Sequence, residues 1–232
     1  MANGVKYKHG GPGVDGDQDG DGDRSARQVE RYVDRETATV GLIAGSCAVA
    51  ATFLVTLAAA ISIRAGMAAE FEDGQTPPVT VEAAWTVLVN LGTSLETGGE
   101  KINAVDLIYS WGFLNLGASP VFILLSFGAI ALAGYLTAAH VGTAAPRRAV
   151  GAALFVVPAY LAYAVGIGVA VTWSPDEGVD DAYPRPGPDV GETVSVVLTD
   201  AVVYAGIVWP AVFATLGAIC AIGFHRVSAG RS

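Results

Sequence analysis

The sequence predicts an all-α, polytopic membrane protein. Four transmembrane helices are expected, with an extracellular amphipathic helical hairpin between the first and second. Three observations carry this reading. Hydrophobic residues make up 52% of the 232 residues, with a mean hydropathy of +0.48. That total alone is near the ordinary range for soluble domains, so the distribution decides. Charged residues are almost absent from four stretches long enough to cross a bilayer and crowd into the segments between them. Finally, when the chain is threaded through those stretches, most Lys and Arg residues fall on one side.

Residues 1–36 read as a cytoplasmic acidic tail. It holds Gly10-Gly11-Pro12-Gly13 and an aspartate-glycine run from Asp15 to Asp23. Such a segment buries too little apolar surface to offset its ordering entropy, so disorder is expected. Within it, Ser25 to Glu36 is helix-friendly. Val29, Tyr32 and Val33 are spaced three and four apart, as in a short amphipathic lead-in to a membrane. The four-helix domain is expected over 37–226. Its first span, 39–63, carries no charged residue and exceeds the apolar run of a cleaved signal peptide.

The outer loop 64–117 opens with Glu70, Glu72 and Asp73 and the breaker Pro77-Pro78. Val81, Trp85, Leu88 and Leu95 then repeat near helical spacing, as do Ile102, Val105, Tyr109 and Phe113 beyond Gly98-Gly99. The spacing predicts a helical hairpin over 79–116 lying on or against the membrane. A fifth and sixth span is the alternative, disfavoured because each run is short and charged. The second span is 118–139 and the third 149–173, with Pro158 expected to kink it. The loop 174–197 is acidic and proline-rich, hence extended. The fourth span is 198–224, with Pro210 inside, and 227–232 forms a short basic tail.

Lys6, Lys8, Arg24, Arg27, Arg31, Arg35, Arg147, Arg148, Arg226 and Arg231 share one side of this threading. Arg64, Lys101 and Arg185 lie on the other. The positive-inside rule therefore places both termini in the cytoplasm of a multi-pass cell-membrane protein. The net charge is −9, with three lysines against ten arginines. An acidic, lysine-poor surface keeps its hydration where salt has collapsed electrostatic range, so a halophilic, haloarchaeal origin is expected. The same acidity argues against a nucleic-acid partner. Cys47 and Cys220 fall in predicted spans and read as small packing residues, with no disulfide or zinc spacing.

Candidate functional residues are few. Asp200 is the one acid near a membrane interior. At the outer end of the fourth span it reads as an interfacial carboxylate favoured by the helix dipole, the alternative being an ion or proton path. His140 and His225 sit at cytoplasmic span ends and could approach one another, but a metal site needs further ligands and none is evident. Asn115 belongs to the aromatic stretch Tyr109–Asn115, which reads as an interfacial anchor or a ligand groove. The aspartate run gives no EF-hand register. Starting at Asp19, Glu30 takes the last ligand position, but Arg24 stands where glycine is needed. Gly41/Gly45, Ala162/Gly166, Ala164/Gly168 and Gly217/Ala221 are small residues four apart, which let helices approach closely. Trp85, Trp111 and Trp173 fit interfacial positions. No Walker, Rossmann, nucleophile-elbow or zinc-protease motif occurs, so no residue argues for an enzyme, a cofactor or a catalytic site.

The approach Trp111 to Asn115, the second-span segment Leu132-Ala133-Gly134-Tyr135-Leu136 and the glycine-punctuated third span resemble a group of uncharacterised haloarchaeal four-helix membrane proteins. The resemblance covers about residues 40–224 and implies a four-helix fold without implying an activity. The expected function is a structural or accessory subunit without catalysis, in contact with the lipid bilayer and with a protein partner or a second copy. A small transporter or channel component is the alternative, and a membrane enzyme the third reading.

Overall fold

The structure is a computed structural model that describes residues 19–67, 77–102, 120–143, 145–174 and 192–229, with side chains from Arg35 onward. Two compact units divide the chain, Met1–Glu36 and Thr37–Ser232, and the second holds the features below. The described helices are α1 (Asp19–Met67), α2 (Val79–Asn90), α3 (Pro120–Val141), α4 (Pro146–Ala153), α5 (Val157–Ala170), α6 (Leu198–Asp200) and α7 (Trp209–Ala229). A 3₁₀ turn, Leu154–Val156, joins α4 to α5, and a π-helical stretch, Ala201–Val208, joins α6 to α7. Three short strands are β1 (Leu95–Thr97), β2 (Glu100–Ile102) and β3 (Val194–Val196).

The described chain is mostly helical, and four helices are long and apolar enough to cross a membrane. They are Arg35–Gly66, Pro120–Val141, Pro146–Ala170 and Leu198–Ser228. Large apolar side chains point outward along them. Leu124 is 71% exposed, and Val121, Val169 and Phe224 are similarly bare. A water-facing bundle would not leave such a belt uncovered, so the surface is consistent with a membrane protein.

Close approaches between helices fix their directions. Gly41 meets Ala152 and Phe155, and Gly45 meets Val156 and Ala159, so the first and third spans rise together. Gly206 meets Leu161 and Gly168 meets Leu198, so the third and fourth run oppositely. α3 and α7 run parallel along a seam of small residues. A Cβ on Gly134 would overlap the Ala214 backbone, and one on Gly217 the Ala131 carbonyl. Small residues at such crossings allow backbone-to-backbone contact that no larger side chain permits. Phe127, Trp209 and Phe213 extend the seam, with Phe127 and Phe213 stacked at 4.2 Å.

The interruptions have local causes. Pro158 and Pro210 lack an N–H, so each leaves a carbonyl of the preceding turn without its usual donor. Just upstream of each proline the helix changes pitch, to the 3₁₀ turn at Leu154–Val156 and to the π stretch at Ala201–Val208.

The hairpin expected over 79–116 differs in the described part. α2 forms as its spacing predicts, but it is not an amphipathic helix resting on a surface. Ala83, Ala84, Trp85, Val87 and Leu88 are all fully buried, as suits a helix enclosed on every side. Trp85 is therefore core and not an interfacial anchor. Leu95 leaves the helix and enters β1. Beyond it stands a two-residue β-hairpin, with Thr97 paired to Glu100 across Gly98 (φ 57°) and Gly99 (φ 83°). Both turn positions need positive φ, which glycine supplies at no steric cost, so Gly98-Gly99 reverses strands instead of separating helices. Residues 103–116, the expected second helix, lie outside the described residues.

β3 pairs antiparallel with β1, giving the order β2-β1-β3, and Trp173 bridges to Val194 at its outer edge. The start of the fourth span, the end of the third and the α2 connection are thus stitched into one cap. Leu95, Val194 and Val196 fill its inner face. The loop expected to be extended at 174–197 ends in this strand, and 175–191 lie outside the described residues. Cys47 and Cys220 are exposed on the bundle's outer surface and do not pack inside it.

Candidate functional site

The polar chemistry of the second unit gathers at the cap and along α2. α2 has twelve residues, about 18 Å, too short to cross a bilayer. It ends in a Schellman motif. The Thr93 N–H donates to Leu88 O (3.1 Å) and the Gly92 N–H to Val89 O (2.9 Å), with Gly92 at φ 83°. That turn folds Thr93 back against the helix. It also lies within contact of Tyr204 and Trp209, six and eleven residues into the fourth span. The end of α2 therefore penetrates between the spans.

Glu82, Thr86 and Asn90 succeed one another at intervals of four on α2 and share one face, within about 80° of arc. All three are buried, Glu82 to 3% and Asn90 to 6% exposure, and so is Thr93 at 4%. Arg64, near the end of the first span, anchors the head of this face. Its guanidinium donates to Glu82 Oε2 at 3.1 Å and to the Pro77 carbonyl. Burial pushes the Glu82 carboxyl up to about 7, against the pull of the Arg64 charge and hydrogen bond. Near neutral pH the contact therefore alternates between an ion pair and a hydrogen bond from a charged donor to a neutral acid.

Below Glu82 the face is unsatisfied. Thr86 Oγ1, both amide atoms of Asn90 and Thr93 Oγ1 are shielded from solvent and meet no hydrogen-bond partner among the described residues. Trp85 Nε1 and Tyr160 Oη are in the same condition. Tyr163, one turn from Tyr160 on α5, touches α2 through a long 3.5 Å contact from its hydroxyl to Ala84 O. Each such buried group costs about 1–3 kcal/mol relative to a partnered one.

Asp200 is 14% exposed and takes Lys101 of β2 at 2.9 Å, and Ser94 offers its hydroxyl and backbone N–H to the same carboxylate. The sequence found no partner for Asp200 in the other spans. The partner comes from the hairpin, 99 residues away. Two further side-chain contacts lie within the cap. Thr97 donates to Glu192 (3.1 Å), and Ser195 to Glu96 (3.2 Å) across the strands. His140 and His225 are both exposed, in the last turns of α3 and α7. Among the described residues no group of three or more His, Cys, Asp or Glu is placed to hold a metal. Asn115 lies outside the described residues. Arg64, Glu82, Thr86, Asn90, Thr93 and Lys101 were not among the functional candidates of the sequence. The four-residue spacing of Glu82, Thr86 and Asn90 was the one available signal.

Fold and site together define a multi-span helical bundle with a short interposed helix and a small sheet cap. Residues 22–224 match a family of unknown function, DUF7978, and the chain belongs to that family. No curated protein and no solved structure matches the chain.

Proposed function

We propose that this protein is an integral membrane protein of a haloarchaeal cell, with both termini cytoplasmic and the cap facing outward, acting as a non-catalytic structural or accessory subunit. The observation that supports this most is how the cap uses its polar groups. Arg64–Glu82 and Lys101–Asp200 join connecting segments to span ends, and Thr97–Glu192 and Ser195–Glu96 hold the cap itself together. They hold the cap and α2 firmly against the spans, as suits a surface presented to a partner. The acidic, lysine-poor composition supports the saline setting, and the Lys and Arg distribution supports the orientation.

The test is gentle extraction of the tagged full chain from its own high-salt membranes, followed by mass spectrometry of what co-purifies. A stoichiometric protein partner is the expected result. A chain recovered alone, with a solute flux in liposomes above that of empty ones, would replace the accessory reading with the second one, a small transporter or channel component. One observation favours that second reading, the unpartnered polar face of α2. Orientation is read separately, by an impermeant maleimide on Ser232→Cys in a Cys47→Ala, Cys220→Ala background. Labelling only after lysis is expected, and labelling of intact cells would invert the topology.

A further inference from the structure

We infer that the buried face of α2 binds a small uncharged molecule through hydroxyl groups. The inference stands apart from the accessory role and does not require it. Its first support is that Thr86 Oγ1, Asn90 Oδ1, Asn90 Nδ2 and Thr93 Oγ1 lie on or beside one helix face, shielded from solvent, and no group among the described residues satisfies any of them.

Its second support is a contrast within the same bundle. Thr52, Thr56, Ser126 and Thr137 each donate to the carbonyl four residues back, at 2.8–2.9 Å. That is how a hydroxyl in an apolar helix is ordinarily satisfied. Thr86 stands inside a helix with the Glu82 carbonyl at the same offset, yet makes no such bond. Its hydroxyl is left without the backbone acceptor that the other four use.

The chemistry of the set selects the class of ligand. Asn90 presents one acceptor and a pair of donor hydrogens, and each threonine presents a donor and an acceptor. A cation would meet the Nδ2 hydrogens, and an anion would meet Oδ1. Among the described residues, the charges at the head of this face, Arg64 and Glu82, are engaged with each other at 3.0 Å. A hydroxyl gives and accepts at one atom and fits this mixed set. Thr86 and Asn90 lie about 6 Å apart along the helix axis, and the Schellman turn brings Thr93 beside the last turn. One hydroxyl cannot reach all of them. A short polyol carries several hydroxyls at such spacing, and a file of waters presents the same chemistry.

The test uses the full chain in detergent, labelled with ¹⁵N-asparagine, with glycerol as the probe. The Asn90 side-chain amide is identified by its loss in Asn90→Leu. Direct magnetisation transfer from its Nδ2 protons to glycerol C–H protons is expected if the occupant is a polyol. Transfer to water alone, of the sign that marks proximity and not exchange, assigns a water file. Either result upholds a hydroxyl-binding face. Transfer only to protein protons would overturn it and leave a dry, closed seam. Thr86→Val, which keeps shape and fold, should abolish the transfer, whereas Thr97→Val in the cap should leave it unchanged. Equal transfer in Thr86→Val would also overturn the assignment.

Discussion

The seam between α3 and α7 and the face of α2 solve the same problem in opposite ways. Both lie inside one bundle, and both bury polar atoms. Along the seam the hydroxyls of Ser126 and Thr137 return to their own backbone, and glycines at 134 and 217 bring the helices to backbone contact. Both of those hydroxyls are satisfied within their own helix. On α2 the same residue type and an asparagine are buried with no protein partner. The difference shows that burying polar side chains is not in itself expensive here. It is expensive where the backbone route is not taken, and such a place marks a site more sharply than composition does.

The largest effect that sharpens this comparison comes from the seam. Gly217→Leu would drive a side chain into the Ala131 carbonyl, and the backbone cannot yield as a flexible side chain could. We expect a loss of more than about 4 kcal/mol, seen as failure to hold a thermal transition in detergent. Gly166→Ala on α5, where an added Cβ meets open space, should stay within about 0.5 kcal/mol.

Next in size is the head of the α2 face. Glu82 binds a proton more tightly in the folded chain, at about 7, than at its ordinary value of 4.5. The folded state therefore holds more protons between these values, and stability falls as pH rises through them. The shift corresponds to about 3 kcal/mol. Thermal unfolding at pH 5 and pH 8 should show it, and Glu82→Gln should flatten the dependence. Arg64→Ala should cost more at pH 8 than at pH 5, because it strands an ionised carboxylate only at the higher pH. A wild-type midpoint that does not move between these pH values would remove Glu82 from this role.

Smaller, and opposite in sign, is the effect on the face itself. Thr86→Val and Asn90→Leu should each stabilise the ligand-free chain by about 1–3 kcal/mol, because each removes an unsatisfied group while keeping volume. Thr56→Val on the first span should not stabilise, since its hydroxyl already has a partner. If both threonines respond alike, the contrast between the two regions fails. Smallest is Lys101→Ala. Its ammonium side is 60% exposed, so the loss should stay under about 1 kcal/mol and appear as faster amide exchange in the hairpin.

The four apolar helices were legible because lipid imposes length and charge exclusion on every residue of a span, and that signal accumulates over twenty positions. The position of α2 was legible too, but not its surroundings. Glu82 and Asn90 look like solvent-facing positions when a helix is read alone, and their burial among the spans shows otherwise. The sheet was not legible. Three-residue strands are too short for a period-two pattern to register, and the pairing of β1 with β3 joins segments about a hundred residues apart. The Gly98-Gly99 reversal carried a hairpin signal that a helical spacing on both sides outweighed. Of the residues singled out from sequence, Asp200 proved to be an anchor for the cap through Lys101 and Ser94.

The π-helical stretch has a mechanical meaning. At its end the Trp209 N–H bonds to Tyr204 O, five residues back, so the coil there is wider and winds more loosely than an α-helix. It separates two parts of one rod. Above it, Asp200 ties the helix to the hairpin. Below it, Gly217 locks the helix against Ala131. A rod gripped at both ends and wound loosely in the middle is a torsion spring. Torsion applied at the hairpin end would be taken up there before it reached the contact at Gly217.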